Sequence, residues 1–473
     1  MNELTIPLKE NGGEHLYQQI YNHIKNEIRK GNLPAGWQLP STRALAAHLS
    51  VSRSTVDLAY EQLLSEGYIE SVPHKGHFVC EITGLYLDLE GKEEKKAESP
   101  ERLHKPAFDF SPNSVDMSGF PFATWKKISK AVFLDEEREV FELGDPKGDL
   151  RLREVICRYL HNSRGVICRP EQIIVGAGND YLLSLLQKLL GEGKKVAVEN
   201  PAYMRAARIF ASEGCQVVPI SLDDNGMRID LLQESGAQIA YITPSRQFPT
   251  GIVMPIGRRM ELLSWAKEEK ERYIIEDDYD SEFRYKGKPI PSLQASDRME
   301  RVVYLGTFSK AIAPAIRISY MVLPGPLLKI YEEKLWFLSS TVSRIDQAIL
   351  YRFMENGHFE RYLNKMRKVY KGKHDLLLAC LKPFHKAFRI EGEHAGLHVL
   401  LVDKRGFLEE ELLSLAKAAD CRVYGMSGYR LDDLQDVKET EIKTPATLVI
   451  GYGGLTEKQI KDGIERLKKA WQI

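Results

Sequence analysis

Cysteine is scarce in this chain: six among 473 residues, Cys80, Cys157, Cys168, Cys215, Cys380 and Cys421, with no C-x-x-C pair and no metal-type spacing. That excludes a disulfide scaffold and a cysteine-built metal centre, and it fits reduced, mostly buried thiols in a cytosolic protein. Net charge is also missing, because 66 Lys and Arg balance 66 Asp and Glu. A broadly basic coat for nucleic acid is therefore excluded, and any such contact must come from a local patch. No stretch approaches the roughly 18 consecutive apolar residues that a bilayer span needs. The N-terminus, Met1-Asn-Glu-Leu-Thr-Ile-Pro-Leu-Lys-Glu10, has no apolar core and does not read as a secretory signal. Internal repeats are absent. The expectation is a cytoplasmic protein with no membrane and no metal among its partners.

What is present is enough for two to three compact units by length. Hydrophobic content of 43% against 28% charged residues is that of a folded rather than a disordered chain. Leu16, Ile20, Ile24 and Ile28 recur every four residues and predict a helix, stopped by Gly31, Pro34 and Gly36. Ser41 can cap a second helix carrying Leu45, Ala46 and Leu49. Ser52 can cap a third, with Val56, Tyr60, Leu63 and Leu64 facing inward. Residues 68–72 and 77–80, split by Pro73-His-Lys-Gly76, read as a short hairpin. The run Gly91-Lys-Glu-Glu-Lys-Lys-Ala-Glu-Ser-Pro100 is charged and apolar-poor, as a solvated linker is. Short apolar runs at 173–175, 195–198, 216–218, 239–242, 273–275 and 302–305 then alternate with amphipathic stretches at 179–190, 202–213 and 256–271. Such alternation predicts an α/β unit with a mostly parallel sheet covered on both faces. Beyond about residue 325 the chain is helix-rich, with short strands near 398–401 and 447–450, which suggests a smaller α+β lobe. The expected organisation is 1–80, a linker at 81–106, and 107–473.

The segment Leu39-Pro-Ser-Thr-Arg43-Ala-Leu-Ala-Ala-His-Leu49, followed by Val51-Ser-Arg53-Ser-Thr-Val56, has the composition of a DNA-reading helix pair. A helix that enters the major groove by its N-terminal turn needs short polar and basic residues there. Ser52, Arg53, Ser54 and Thr55 supply them, and residues 41–56 include Arg43 and Arg53 but no acid. Arginine pairs with guanine edges, while hydroxyls and helix-terminal amides hold phosphates. With the wing Lys75-Gly76…Phe78-Val79, residues 15–80 resemble the winged helix-turn-helix of GntR-type bacterial regulators. The resemblance implies operator DNA as partner, with Arg43, Ser52, Arg53, Ser54, Thr55 and Lys75 in contact. The wing tip, His74-Lys-Gly76, departs from the Arg-Gly-Gly-like chemistry of the family, so wing contacts are less secured than those of the recognition helix.

A second constellation lies downstream. Lys310 follows the apolar run 302–305 through Gly306-Thr-Phe-Ser309, on a strand-to-loop edge, where a lysine can form an imine with the aldehyde of pyridoxal 5'-phosphate. Thr307, Ser309 and Arg317 are placed to meet the phosphate. The turn Gly176-Ala-Gly178-Asn179-Asp180 offers backbone amides at a helix N-terminus. Asp277 can pair with the pyridine nitrogen, Tyr279 with the ring 3-hydroxyl, and Tyr203 can stack on the ring. These segments, with Gly144-Asp-Pro-Lys-Gly148…Leu152-Arg153 and Pro244-Ser-Arg-Gln-Phe-Pro-Thr-Gly251, are similar in order to the fold-type I (aspartate aminotransferase-like) enzymes over residues 107–473. The whole chain resembles the MocR/GabR-type regulators. That resemblance implies a pyridoxal-phosphate-dependent transcription factor, a head-to-tail homodimer with swapped reader domains. It would sense an amino-group effector by aldimine exchange at Lys310. Arg205 resembles the carboxylate-binding arginine of the GabR subtype, and Arg430 is a second candidate for the effector. Two positions depart from the transaminase pattern. Phe248 stands where an asparagine contacts the ring 3-hydroxyl, and Leu143 where an aromatic reaches the partner's phosphate. Both favour regulation with at most weak or half-reaction transamination. The alternative is a functional aminotransferase with an accessory DNA-binding domain.

Overall fold

In the computed structural model the chain divides into two units, Met1–His104 and Lys105–Ile473. The structure describes residues 4, 6–8, 14–81, 106–134, 138–285, 290–431 and 445–473. The expected linker at 81–106 falls, apart from its two end residues, outside the described residues.

The N-terminal unit is built from α1 (Leu16–Arg29), α2 (Thr42–Leu49), α3 (Arg53–Ser65) and a hairpin of β1 (Ile69–Val72) and β2 (Gly76–Val79). Its helices start where the sequence provides caps. Ser41 Oγ accepts the Ala44 amide at 3.2 Å, and Ser52 Oγ accepts the Thr55 amide at 3.2 Å. Each such cap satisfies one of the amides that a helix start leaves open. Between α2 and α3, Ser50 adopts a left-handed conformation (φ 54°) and turns the chain sharply. Ile20, Ile24, Val56, Leu63 and Ile69 close one apolar core beneath this turn.

The second unit carries an eight-stranded sheet. After β3 (Phe108–Asp109), its strands are β4 (Ile173–Gly176), β5 (Lys195–Asn200), β6 (Gln216–Asp223), β7 (Gly226–Met227), β8 (Ile239–Ile242), β9 (Tyr273–Asp278), β10 (Val302–Thr307) and β11 (Ser319–Val322). The spatial order is β4-β11-β10-β9-β8-β5-β6-β7. Neighbours from β10 to β6 are parallel, whereas β11 runs antiparallel to both β10 and β4. Alternate side chains go to opposite faces: Ile173 and Val175 join one apolar cluster while Ile174 joins another, and Ile274 and Ile275 divide likewise. That is the period-two burial of a sheet covered on both sides. The helix Asn179–Leu190 coincides with its predicted range, while those at Met204–Ser212 and Ile256–Glu268 are slightly shorter than the periodicity suggested.

The smaller lobe holds β12 (Phe388–Glu391), β13 (His398–Asp403), β14 (Cys421–Arg422), β15 (Tyr424–Gly425) and β16 (Thr447–Gly451). Four of these form an antiparallel sheet in the order β12-β13-β16-β15, and β14 pairs with β3. Helices His358–Leu381 and Glu457–Ala470 cover it, with Leu377, Leu401, Leu448 and Leu467 in the shared core.

Because Leu63 is fully buried in the N-terminal core, Leu63→Ala is expected to cost that unit about 2–5 kcal/mol. Thermal unfolding of that unit should move to a lower temperature, whereas that of the larger unit should stay where it is.

Candidate cofactor and effector site

The parallel direction of β10, β9, β8 and β5 brings their C-terminal ends to one edge of the sheet. That edge is where open α/β sheets hold ligands. Here it forms a cleft with about 630 Å³ of open space, lined by Asn179, Asp180, Tyr203, Arg205, Thr243, Phe248, Asp277, Tyr279, Thr307, Ser309, Lys310, Arg317, Ser319 and Asn113. Nine side chains expected from the sequence to contact cofactor or effector therefore share one cavity: Lys310, Asp277, Tyr279, Tyr203, Thr307, Ser309, Arg317, Asn179 and Arg205. Gly178 lies at its edge. Its φ of 90° suits glycine, and a Cβ there would stand 2.4 Å from Arg317 Nη2. Arg430 does not line this cavity.

Lys310 sits in the short helical turn Phe308–Ala311 that β10 feeds, capped by Thr307, whose hydroxyl accepts the Ser309 amide at 3.1 Å. Its Nζ lies 4.5 Å from the centre of the Tyr279 ring and 5.7 Å from that of Phe248. Burial lowers the Lys310 pKa from the ordinary 10.5 to about 8, opposed by Asp280 and assisted by Arg246. The neutral, nucleophilic amine is thus far more abundant near neutral pH than for a solvated lysine. Asp277 is pushed up to about 6, chiefly by burial, and is held from rising further by a hydrogen bond from the Tyr241 hydroxyl. Asn179 Nδ2 adds a weaker contact to Asp277 at 3.4 Å. Farther out, Asp180 accepts from Arg317 at 3.0 Å and from Arg205 at 3.4 Å, so one carboxylate is shared by two guanidiniums.

Beneath this cavity the loop between β8 and the helix Ile256–Glu268 is fixed by a buried cation. Arg246 pairs with Asp280 at 3.2 Å, donates to the His398 carbonyl at 2.9 Å, and faces His398 Nδ1 at 3.2 Å. His398 Nε2 lies 2.8 Å from the Pro249 carbonyl. A carbonyl can only accept, so Nε2 carries the proton and Nδ1 is left to accept from Arg246. Burial and the adjacent guanidinium keep His398 neutral, well below the usual histidine range. Gly396 makes room for the guanidinium: a Cβ there would fall within 2.1 Å of Arg246 Nη1. Phe248, held by the same loop, makes edge-on contacts with Tyr203, Tyr279, His398 and Tyr429 at 5.3–6.1 Å.

In the N-terminal unit, Ser52 Oγ also lies 2.8 Å from Ser54 Oγ and 2.7 Å from Thr55 Oγ1, so the hydroxyls at the start of α3 form one cluster. Arg53 is exposed and reaches Asp57 at 3.5 Å, and Arg43 and Lys75 are exposed. The Lys75 amide closes the wing turn on the Val72 carbonyl at 3.0 Å.

Residues 16–79 match the model of the bacterial regulatory proteins of the gntR family, and residues 108–416 match aminotransferase class I and II. The chain is 40% identical over 462 residues to the uncharacterized HTH-type transcriptional regulator YdeL of Bacillus subtilis, covering 97% of each chain. It is 31% identical over 403 residues to the pyridoxine biosynthesis regulator PdxR of Corynebacterium glutamicum, covering 85% of this chain and 86% of that one. The chain belongs to the MocR-type regulators, in which a GntR winged helix precedes an aminotransferase-like unit. Among solved structures, the multiple substrate aminotransferase of Thermococcus profundus superposes with a TM-score of 0.68 at 26% identity, over 78% of this chain and 92% of that one.

The aminotransferase fold family binds pyridoxal phosphate, and the cleft of this MocR-type chain fits that group. Ser309 Oγ and Asn179 Oδ1 are buried with no hydrogen-bond partner among the described residues. Buried polar atoms of that kind are costly unless a ligand or water meets them. Ser309 and Arg317 stand with Gly178 at the start of the helix Asn179–Leu190, as a phosphate site requires. Thr243, Ser319, Asn113 and the Tyr241 hydroxyl were not found from the sequence. Thr243 directly follows β8, so the strand-end rule that selected Asp277 would have found it too. Ser319 lies on β11, an antiparallel strand that the alternation pattern does not reveal, and Asn113 arrives from a segment with no local signal.

Two outcomes follow from the charges around Lys310. Trapping of pyridoxal phosphate by borohydride on protein freed of cofactor should rise with pH through a midpoint of about 8 and vanish in Lys310→Ala. Arg246→Gln removes a cation that holds the Lys310 pKa down, so the midpoint should move up; Asp280→Asn removes an anion that raises it, so the midpoint should move down. Shifts in the same direction for both variants would contradict this electrostatic account.

Proposed function

We propose that the chain is a cytoplasmic, pyridoxal-phosphate-dependent transcription factor whose operator affinity responds to an amino-group effector arriving at Lys310. The observation that carries this reading is the buried amine of Lys310, with its lowered pKa, beside Asp277 and unmatched polar atoms on a chain that also presents a capped recognition helix. When bound, the cofactor supplies an aldehyde that condenses reversibly with primary amines and a ring that withdraws electrons.

Ser309, Thr307, Arg317 and the amides after Gly178 would hold the phosphate, and Asp277 would hold the protonated ring nitrogen. Asp277 is suited to that role because burial makes its charge costly until a cation is offered. Tyr203 and Phe248 wall the ring pocket. Lys310 would be the amine that holds the cofactor aldehyde and that a ligand amine would have to displace, and Asp280 and Asp277 would steady the ammonium form of the freed side chain. Arg205 offers its guanidinium to the ligand's anionic end. Phe248 has no amide for the ring oxygen, which supports sensing over sustained amino transfer. Exposed Phe133, Leu134, Phe141 and Leu143 support a second copy of the chain as partner, in a head-to-tail dimer. A ligand can shift the reader only through unequal affinity for two packings of the larger unit.

Among the described residues no helix is long and apolar enough to cross a membrane. Arg43, Arg53 and Lys75, with Ser52, Ser54 and Thr55, would form the operator face. Loss of Arg53 or Arg43 should cost about 1–3 kcal/mol on the cognate operator and less on unrelated DNA. Lys75→Ala should weaken both alike and flatten the salt dependence. Titrating the cofactor-loaded protein with amino acids while following cofactor absorbance and operator binding tests the whole reading. The two signals should move together, and operator binding indifferent to every amine that alters the absorbance would sink it.

A further inference from the structure

Beside the cofactor cleft lies a second, more open cavity of about 970 Å³, and the two share Asn113, Tyr203, Arg205 and Phe248. Its outer wall is one face of the helix Met204–Ser212, where Arg205, Arg208 and Ser212 follow at spacings of three and four residues. Its inner wall is aromatic, with Phe248 between Tyr203 and Tyr429. No Asp or Glu lines it. The two arginines differ in their surroundings. Arg205 is engaged by Asp180, which also holds Arg317, whereas Arg208 has no acidic partner among the described residues. Arg205, Arg208 and Arg317 thus stand around the two cavities, Arg205 and Arg317 sharing Asp180, and the uncompensated Arg208 lies outermost.

We propose that this vestibule binds the second acidic group of a dianionic effector, an amino dicarboxylate, with Arg205 taking one carboxylate and Arg208 the other. The proposal rests on the preceding reading, in which the ligand's amine reaches Lys310 through the shared opening. The spacing fits. Three residues along a helix advance about 4.5 Å, comparable to the separation of carboxylates joined by a two- or three-carbon chain. Met204 and Ile209 give the floor an apolar character suited to that short chain. A mono-anion would leave Arg208 without a counter-charge, and a neutral amide in the outer position would forgo a charge-assisted contact.

The test uses the full-length, cofactor-loaded protein and four probes: L-aspartate, L-glutamate, L-asparagine and L-glutamine, each titrated against cofactor absorbance. The acids should reach half-saturation at concentrations at least tenfold below those of their amides. Arg208→Gln should bring that acid-to-amide ratio close to one, and Arg208→Lys should restore part of it. Because the ratio is taken within one protein, a general loss of fold or cofactor cancels. Equal midpoints for acids and amides, or a ratio unchanged in Arg208→Gln, would overturn the vestibule assignment alone. An absorbance unmoved by all four probes at millimolar concentration but moved by another primary amine would overturn the vestibule assignment and leave the amine-sensing reading standing, whereas an absorbance unmoved by any amine would overturn both.

Discussion

The parallel register between β9 and β10 is the constraint on which the site depends. Leu305 stands opposite Asp277 and Gly306 opposite Asp278, so the acidic end of β9 and the Thr307–Lys310 turn emerge at the same edge. Alternation along β9 then sorts three successive acids. Glu276 accepts the Leu293 and Gln294 amides at 2.8 and 2.9 Å, and Asp278 takes Arg164 at 2.7 Å and the Tyr304 hydroxyl at 2.5 Å. Asp277 points the other way, to Tyr241, Asn179 and the cleft. A slip of one residue would exchange these faces and present the cleft with carboxylates built to anchor loops and helices. All three acids are buried, and the outer two are engaged by backbone amides and by Arg164 rather than by the cleft.

The loop that carries Arg246 and Phe248 is held on several sides. The turn is locked from below by Arg246 with Asp280 and His398, and from the side by Gln247, which donates to the Pro201 carbonyl at 2.8 Å. Glu199, pushed up to about 7 by burial, accepts the Thr243 amide and hydroxyl at 3.1 and 2.8 Å and ties the same loop to β5. With the backbone held this firmly, the Phe248 ring is fixed in the wall of the cleft. The aromatic ring lines both the space around Lys310 and the vestibule, in edge-on contact with Tyr279 and Tyr429.

Legibility in the sequence followed how local each signal is. Caps at Ser41 and Ser52, the apolar faces of α1 and α3, and the β-then-helix alternation are encoded within a few residues, and the corresponding elements lie where those signals put them. Lys310, Asp277 and the Gly178 turn were readable because each sits immediately after an apolar run, and parallel strands send such positions to one edge. Ser319 and Asn113 were not, because they reach the cleft through an antiparallel strand and through a long-range crossing that no periodicity announces. Arg246 was hidden for another reason: an arginine in a polar turn reads as solvated, and only the missing Cβ of Gly396 and the carboxylate of Asp280 make its burial possible. Arg430 illustrates the converse, a charged residue near the right strand that does not reach the cleft.

The ion pairs around the site fall into two kinds, and the difference bears on how a sensor can both keep its shape and respond. Arg246 and Asp280 are 3% and 2% exposed, so parting them would strand a charge in a low-dielectric interior, which typically costs 3–5 kcal/mol. Arg205 and Asp180 are 58% and 41% exposed and 3.4 Å apart, a pair of the class worth about 0–1 kcal/mol in water. The frame under Lys310 is therefore fixed, while the contacts at the mouth can be exchanged for a ligand's anionic group at little cost. Asp180 is the pivot of that exchange, because the guanidinium released from it by a ligand leaves its charge to Arg317 at 3.0 Å. An anion held by Arg205 and a phosphate held by Arg317 would draw on neighbouring members of one charge cluster, so that binding at one would change the field at the other.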